Sequence, residues 1–134
     1  QVLSLAAVIE KETAQASERP IISAVFHNRL RKGMKLQTDP TIIYGLTDYA
    51  GNIRRRHILS PHPWNTYVHR NLPITPIAAA GAEAIRAALN PAQSDALFFV
   101  SRNDKTHVFC PTLSCHNRAV KKWQIDYFRK KRGR

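Results

Sequence analysis

No apolar run among these 134 residues approaches the roughly 20 that a membrane-spanning helix requires, which excludes such a helix within them. Acidic residues are few, nine Asp and Glu against 21 Lys and Arg, and the net charge of +12 implies an acidic partner or surface. Nucleic acid, anionic lipid and an acidic wall polymer all meet that description. No helix-turn-helix, zinc finger or aromatic sheet motif is present, however, and no nucleic-acid partner is expected. Internal repeats are also absent. Cysteine is limited to Cys110 and Cys115, flanked by His107 and His116. That spacing fits neither a pair of zinc knuckles nor a catalytic His motif, so a local disulfide or two free thiols is expected and no metal.

Apolar residues make up 43% of the chain, enough for one globular domain, expected here to span residues 1–134. The chain opens inside an amphipathic helix with no cap before Val2, as expected of a fragment of a longer protein. In that helix, Leu3 to Thr13, Leu5, Val8, Ile9 and Glu12 fall at i, i+3, i+4 and i+7 and form one stripe. Glu12 therefore belongs to the apolar side, whereas Glu10 points away from it and can stay in water. A carboxylate among apolar side chains loses hydration of its charged form, so its pKa rises and it can carry a proton near neutral pH. Those are the properties of a general acid.

Ser17 to Pro20 reads as a helix start, and Ile22, Val25, Phe26 and Arg29 share a face of the helix that follows, which Gly33 closes. Asp39-Pro40 suits the cap and first residue of a short helix. Around it Gln37, Thr38, Asp39 and Tyr44 crowd hydrogen-bonding side chains into one turn, as sugar-binding clefts do. From Asp48 to Pro76 the chain is polar, rich in proline and without periodicity, which reads as a functional loop region containing Trp64 and Tyr67. Gly81 to Leu89 is a short helix, Ala96–Val100 and Thr106–Phe109 form a hairpin, and Leu113 to Lys130 is a long terminal helix. The expected class is α+β, several short helices around a small antiparallel sheet.

Ile9-Glu-Lys-Glu-Thr13, Phe26-His-Asn-Arg-Leu30, Leu36-Gln-Thr-Asp-Pro-Thr-Ile-Ile-Tyr-Gly45, Gly51-Asn-Ile-Arg54, Asn65-Thr-Tyr67, Leu72-Pro73 and His116-Asn-Arg-Ala-Val120 stand in this order along the chain. In them the sequence resembles the catalytic domain of the MltG/YceG-like family, the endolytic murein transglycosylases. That family places its catalytic Glu before Ser or Thr, which here selects Glu12 before Thr13, the residue that helix geometry selects independently. The resemblance implies cleavage of the β-1,4 bond between N-acetylmuramic acid and N-acetylglucosamine in peptidoglycan, with 1,6-anhydro ends as product and no cofactor. Gln37, Thr38, Asp39, Tyr44, Asn65 and Tyr67 are the expected lining of the glycan cleft. A hydrolase using Glu12 and Asp39, or a basic binding domain for nucleic acid or wall polymer, are the competing readings. The resemblance further implies an N-terminal membrane anchor and a LysM-like module outside this chain. It places the catalytic domain on the periplasmic side of the bacterial inner membrane, with peptidoglycan synthases as partners. Ile74-Thr-Pro-Ile77 replaces the family's usual Gly-containing turn, and the two cysteines are not part of the family pattern.

Overall fold

The computed structural model describes residues 1–13 and 15–133. Its centre is helix α1, Val2–Glu12, in which Ser4 through Ile9 are all buried. A single apolar stripe is thus too modest a description of α1. Small residues at 4, 6 and 7 allow neighbours to pack on every side, and α2 (Arg19–Arg31), α3 (Asp39–Tyr44) and α5 (Ala82–Leu89) all do so. Ile22, Phe26, Leu36, Ile77, Ala84 and Ala88 complete the core around Leu5, Val8 and Ile9.

A 3₁₀ turn, Ala16–Glu18, leads into α2, whose Pro20 stands in the first turn where a missing N–H is harmless. Gly33, at φ 69°, ends α2 in a Schellman arrangement: its N–H donates to the Leu30 carbonyl and that of Met34 to the Arg29 carbonyl. Helix α4 is one turn, Arg55–Ile58, inside the long segment read as loop. There His57 is buried, its Nδ1 accepting from the Arg54 N–H and its Nε2 lying 3.3 Å from Asp48.

Strands β1 (Phe98–Ser101) and β2 (His107–Cys110) pair antiparallel with Phe98 opposite Cys110, one or two residues later than their alternation suggests. The α+β class is borne out. A disulfide joins Cys110 to Cys115 and ties the end of β2 to the start of α6, Leu113–Val120. Both thiols are thereby used, and His107 is held by Glu18, whose two oxygens take its backbone N–H and its ring nitrogen. The terminal helix is long but not uniform, because Lys121–Asp126 is wound as π-helix before α7, Tyr127–Arg132. His116, Val120, Trp123 and Tyr127, which a helix would place on one stripe, are all half-buried, and the Trp123 and Tyr127 rings lie 6.4 Å apart.

Candidate active site

Glu12 is the last residue of α1, and the chain turns immediately after it. Thr13, extended and buried, accepts the Gln15 N–H at its hydroxyl, which stops the helix there. The glutamate is thus delivered at a helix end into a cleft of about 390 Å³, lined also by Lys11, Arg29, Gln37, Asp39, Tyr67 and His116. Burial pushes its carboxyl from the usual 4.5 up to about 7, and the negative charge of Asp39 adds to the rise. A carboxyl in that range exists in both protonation states near neutral pH, as an acid that must later act as a base requires.

Glu10 is not simply in water. Its Oε1 accepts the Gly81 N–H at 2.8 Å, at the start of α5, and its Oε2 lies 3.5 Å from Arg19. It fastens α5 to α1 and takes no part in lining the cleft.

The polar turn expected to bind ligand divides in two. Gln37 is exposed on the cleft and holds φ at 55°, a left-handed conformation uncommon for a side-chain-bearing residue and a recurrent mark of functional sites. Asp39 also faces the cleft. It is the first residue of α3 and not its cap, a position held by Thr38, so its carboxylate is left to accept the Tyr67 hydroxyl at 2.8 Å. Tyr67 lines the cleft, and desolvation, with the Asp39 hydrogen bond next, holds its phenol firmly protonated. Thr38, by contrast, is buried. It belongs to a knot in which the Thr66 hydroxyl takes the Thr38 N–H and pairs with that of Thr41, the two threonines 25 residues apart.

Asn65, expected in the lining, is wholly buried. Its amide donates to the Ser60 and Ile58 carbonyls at 2.7 and 3.0 Å, and its carbonyl takes the Tyr67 N–H at 2.9 Å. It positions Tyr67 from beneath and is not part of the cleft lining. Tyr44 faces an adjoining hollow of about 430 Å³ with Ile43 and Ile77, which shares Lys11 and Pro40 with the cleft. Its ring stands edge-on to Trp64, whose indole N–H donates to Thr75.

Three polar residues of the cleft escaped the reading of the sequence as site residues: Lys11, Arg29 and His116. For Arg29 the signal was available, a cation on the apolar face of α2, which is the logic that selects Glu12. His116 stacks on Phe98 at 5.0 Å, and burial, with Arg29 second, lowers its pKa, so its ring is neutral at neutral pH.

The model of the YceG-like family matches residues 1–122. An endolytic murein transglycosylase of Bacillus subtilis (strain 168) is 37% identical over 123 residues, 92% of this chain and 34% of the relative. One from Streptococcus pneumoniae serotype 2 (strain D39 / NCTC 7466) is 31% identical over 106 residues, 75% of this chain and 19% of that protein. The crystal structure of a YceG-like protein from Listeria monocytogenes superposes with a TM-score of 0.79 at 38% identity, covering 87% of this chain and 38% of that one. The chain spans about a third of the length of the Bacillus relative.

Proposed function

The chain belongs to the YceG-like family, and we propose that it cleaves peptidoglycan glycan strands internally as a lytic transglycosylase. The observation that carries the reading is a single desolvated carboxyl, Glu12, held near pKa 7 in a polar cleft. Glu12 gives its proton to the glycosidic oxygen between N-acetylmuramic acid and N-acetylglucosamine. The carboxylate so formed takes the proton of the C6 hydroxyl of the same muramic acid, which attacks C1 and closes the 1,6-anhydro ring. One residue suffices because the nucleophile is already part of the substrate, an advantage of proximity. Gln37 and the Asp39–Tyr67 pair orient the sugar. The full-length protein is anchored in the inner membrane with this domain outside, where the disulfide persists. There it trims strands made by peptidoglycan synthases and limits their length.

Mass spectrometry of the fragments released from purified peptidoglycan tests this. Each new muramic acid terminus should lack one water relative to a reducing end, and cleavage in ¹⁸O-labelled water should leave it unlabelled. Labelled reducing ends would instead favour a hydrolase. That second reading rests on Asp39, whose carboxylate shares the cleft and acts electrostatically on Glu12, because hydrolysis requires a second carboxylate in most such enzymes.

A further inference from the structure

A guanidinium taken out of water costs several kcal/mol unless its charge is compensated, and Arg29 is only 8% exposed. Neutral carbonyls surround it. Its Nε donates to the Leu97 carbonyl at 2.6 Å and its Nη1 to those of Lys35 and Leu36 at 3.0 and 3.3 Å, while the group lies 5.1 Å from the centre of the Phe98 ring. Among the described residues no carboxylate forms an ion pair with it. Its Nη2 makes no hydrogen bond to them either and is not among the enclosed unpaired atoms, so it opens to the cleft that Arg29 lines. A clamp for three carbonyls needs only Nε and Nη1. The remaining amine is rigidly held, carries positive charge and has no acceptor among the described residues. Lys11, exposed on the same cleft, forms no ion pair with a described residue. His116 adds no charge there at neutral pH, and the negative groups of the cleft are Asp39, engaged by Tyr67, and Glu12 when it is ionised.

We propose that Arg29 and Lys11 form a carboxylate-binding subsite of the Glu12 cleft, through which the protein takes anionic glycan in preference to neutral glycan. The inference rests on the glycan reading above. Murein offers the carboxylate from two sources: the lactyl group of muramic acid, where no peptide is attached, and the stem peptide, where one is.

Calorimetry on the Glu12→Gln chain, which binds without turnover, tests it with five ligands. These are a neutral chitin oligosaccharide, a peptide-free murein oligosaccharide, a peptide-bearing one, and the methyl esters of the last two. A charge-assisted hydrogen bond corresponds to about tenfold or more in Kd, so at least one acid should bind that much more tightly than its ester. The acid that does so identifies the source. Lys11→Ala should shrink the difference, and Arg29→Gln, verified as folded by its thermal melt, should remove it. Because the comparison of acid with ester leaves Arg29 in place, it decides even where Arg29→Gln fails to fold. Equal binding of acid and ester for both strands overturns the proposal. Cleavage of murein by the unaltered chain is scored separately. Cleavage without carboxylate preference sinks the subsite alone, and preference without cleavage sinks the enzymatic reading alone.

Discussion

Two carboxylates stand two residues apart on α1 and are treated in opposite ways. Glu10 is given a backbone N–H and a guanidinium, and spends its charge joining α1 to α5. Glu12 is desolvated by burial and has a like-charged neighbour in Asp39, and its proton is consequently retained to about pH 7. The chemistry of the side chain is identical, so the difference lies in what each helix face meets. The polar turn repeats the lesson: Thr38 and Asn65 have their hydrogen-bonding capacity consumed by the protein, while Gln37 and Asp39 keep some for a ligand. A polar group becomes available for function where the fold leaves it incompletely satisfied.

The largest break in this contrast should come from Glu12→Gln. Murein cleavage, followed by release of soluble fragments, should fall by about 10²–10⁴ or more, since the amide keeps the shape and cannot deliver a proton. Glu10→Gln still accepts from Gly81 and loses only the Arg19 pair, so it should retain most activity with a slightly lower Tm. The reverse pattern would invalidate the division between the two glutamates.

Asn65→Ala strips the His57, Ile58 and Ser60 carbonyls of a donor and Tyr67 of its backbone acceptor. Such a loss should destabilise by about 2–4 kcal/mol in denaturant titrations. A loss of turnover with unchanged stability would move Asn65 back among ligand-binding residues.

Glu12 itself should weaken the fold at high pH. The unfolded chain releases this proton near pH 4.5 and the native one near 7. Between those values the native state binds more protons, so stability declines as pH rises and levels off above about 7. The decline amounts to about 1–3 kcal/mol, and Glu12→Gln should remove it, leaving a variant that is inactive and more stable at pH 8. A wild-type Tm that rises across this window would contradict the burial of the carboxyl. Activity should decline on the same side, because the first step needs the protonated form.

Tyr67→Phe leaves Asp39 without its hydroxyl partner and should lower turnover by about tenfold, with little change in Tm. Smallest of all, serine at both Cys110 and Cys115 should cost no more than about 2 kcal/mol, because the bridge closes a short loop, and should leave activity in place.

Periodicity made α1 and α2 legible, and with them Glu12, because a helix repeats its faces whatever surrounds it. It did not disclose that Ser4 to Ile9 are enclosed all round, since that depends on α2 and α5 arriving from elsewhere in the chain. Between Asp48 and Pro76 no period exists to be read. The carbonyls that Asn65 collects come from an irregular backbone path, and nothing in its composition separates a buried bracket from a ligand contact. Asp39 was placed one position early, as a cap, because Thr38 and Asp39 are both suitable cap residues and only the structure shows which is extended. Arg29 was visible as a cation on an apolar face, but its partners, the carbonyls of Lys35, Leu36 and Leu97, belong to backbone that side-chain patterns do not describe.

The end of α2 also determines where the chain can change length. Within the few residues that follow Arg29, its own carbonyl takes the Met34 N–H while its side chain grips the carbonyls of Lys35 and Leu36. One extra residue between Leu30 and Lys35 would put at least one of these bonds out of reach and shift Gln37 at the mouth of the cleft. The exposed turn at Arg102 to Lys105, joining two short strands, carries no comparable tie to the cleft. Insertions and reporter tags should therefore be tolerated there and rejected after α2, a difference of position that random insertion scanning would expose.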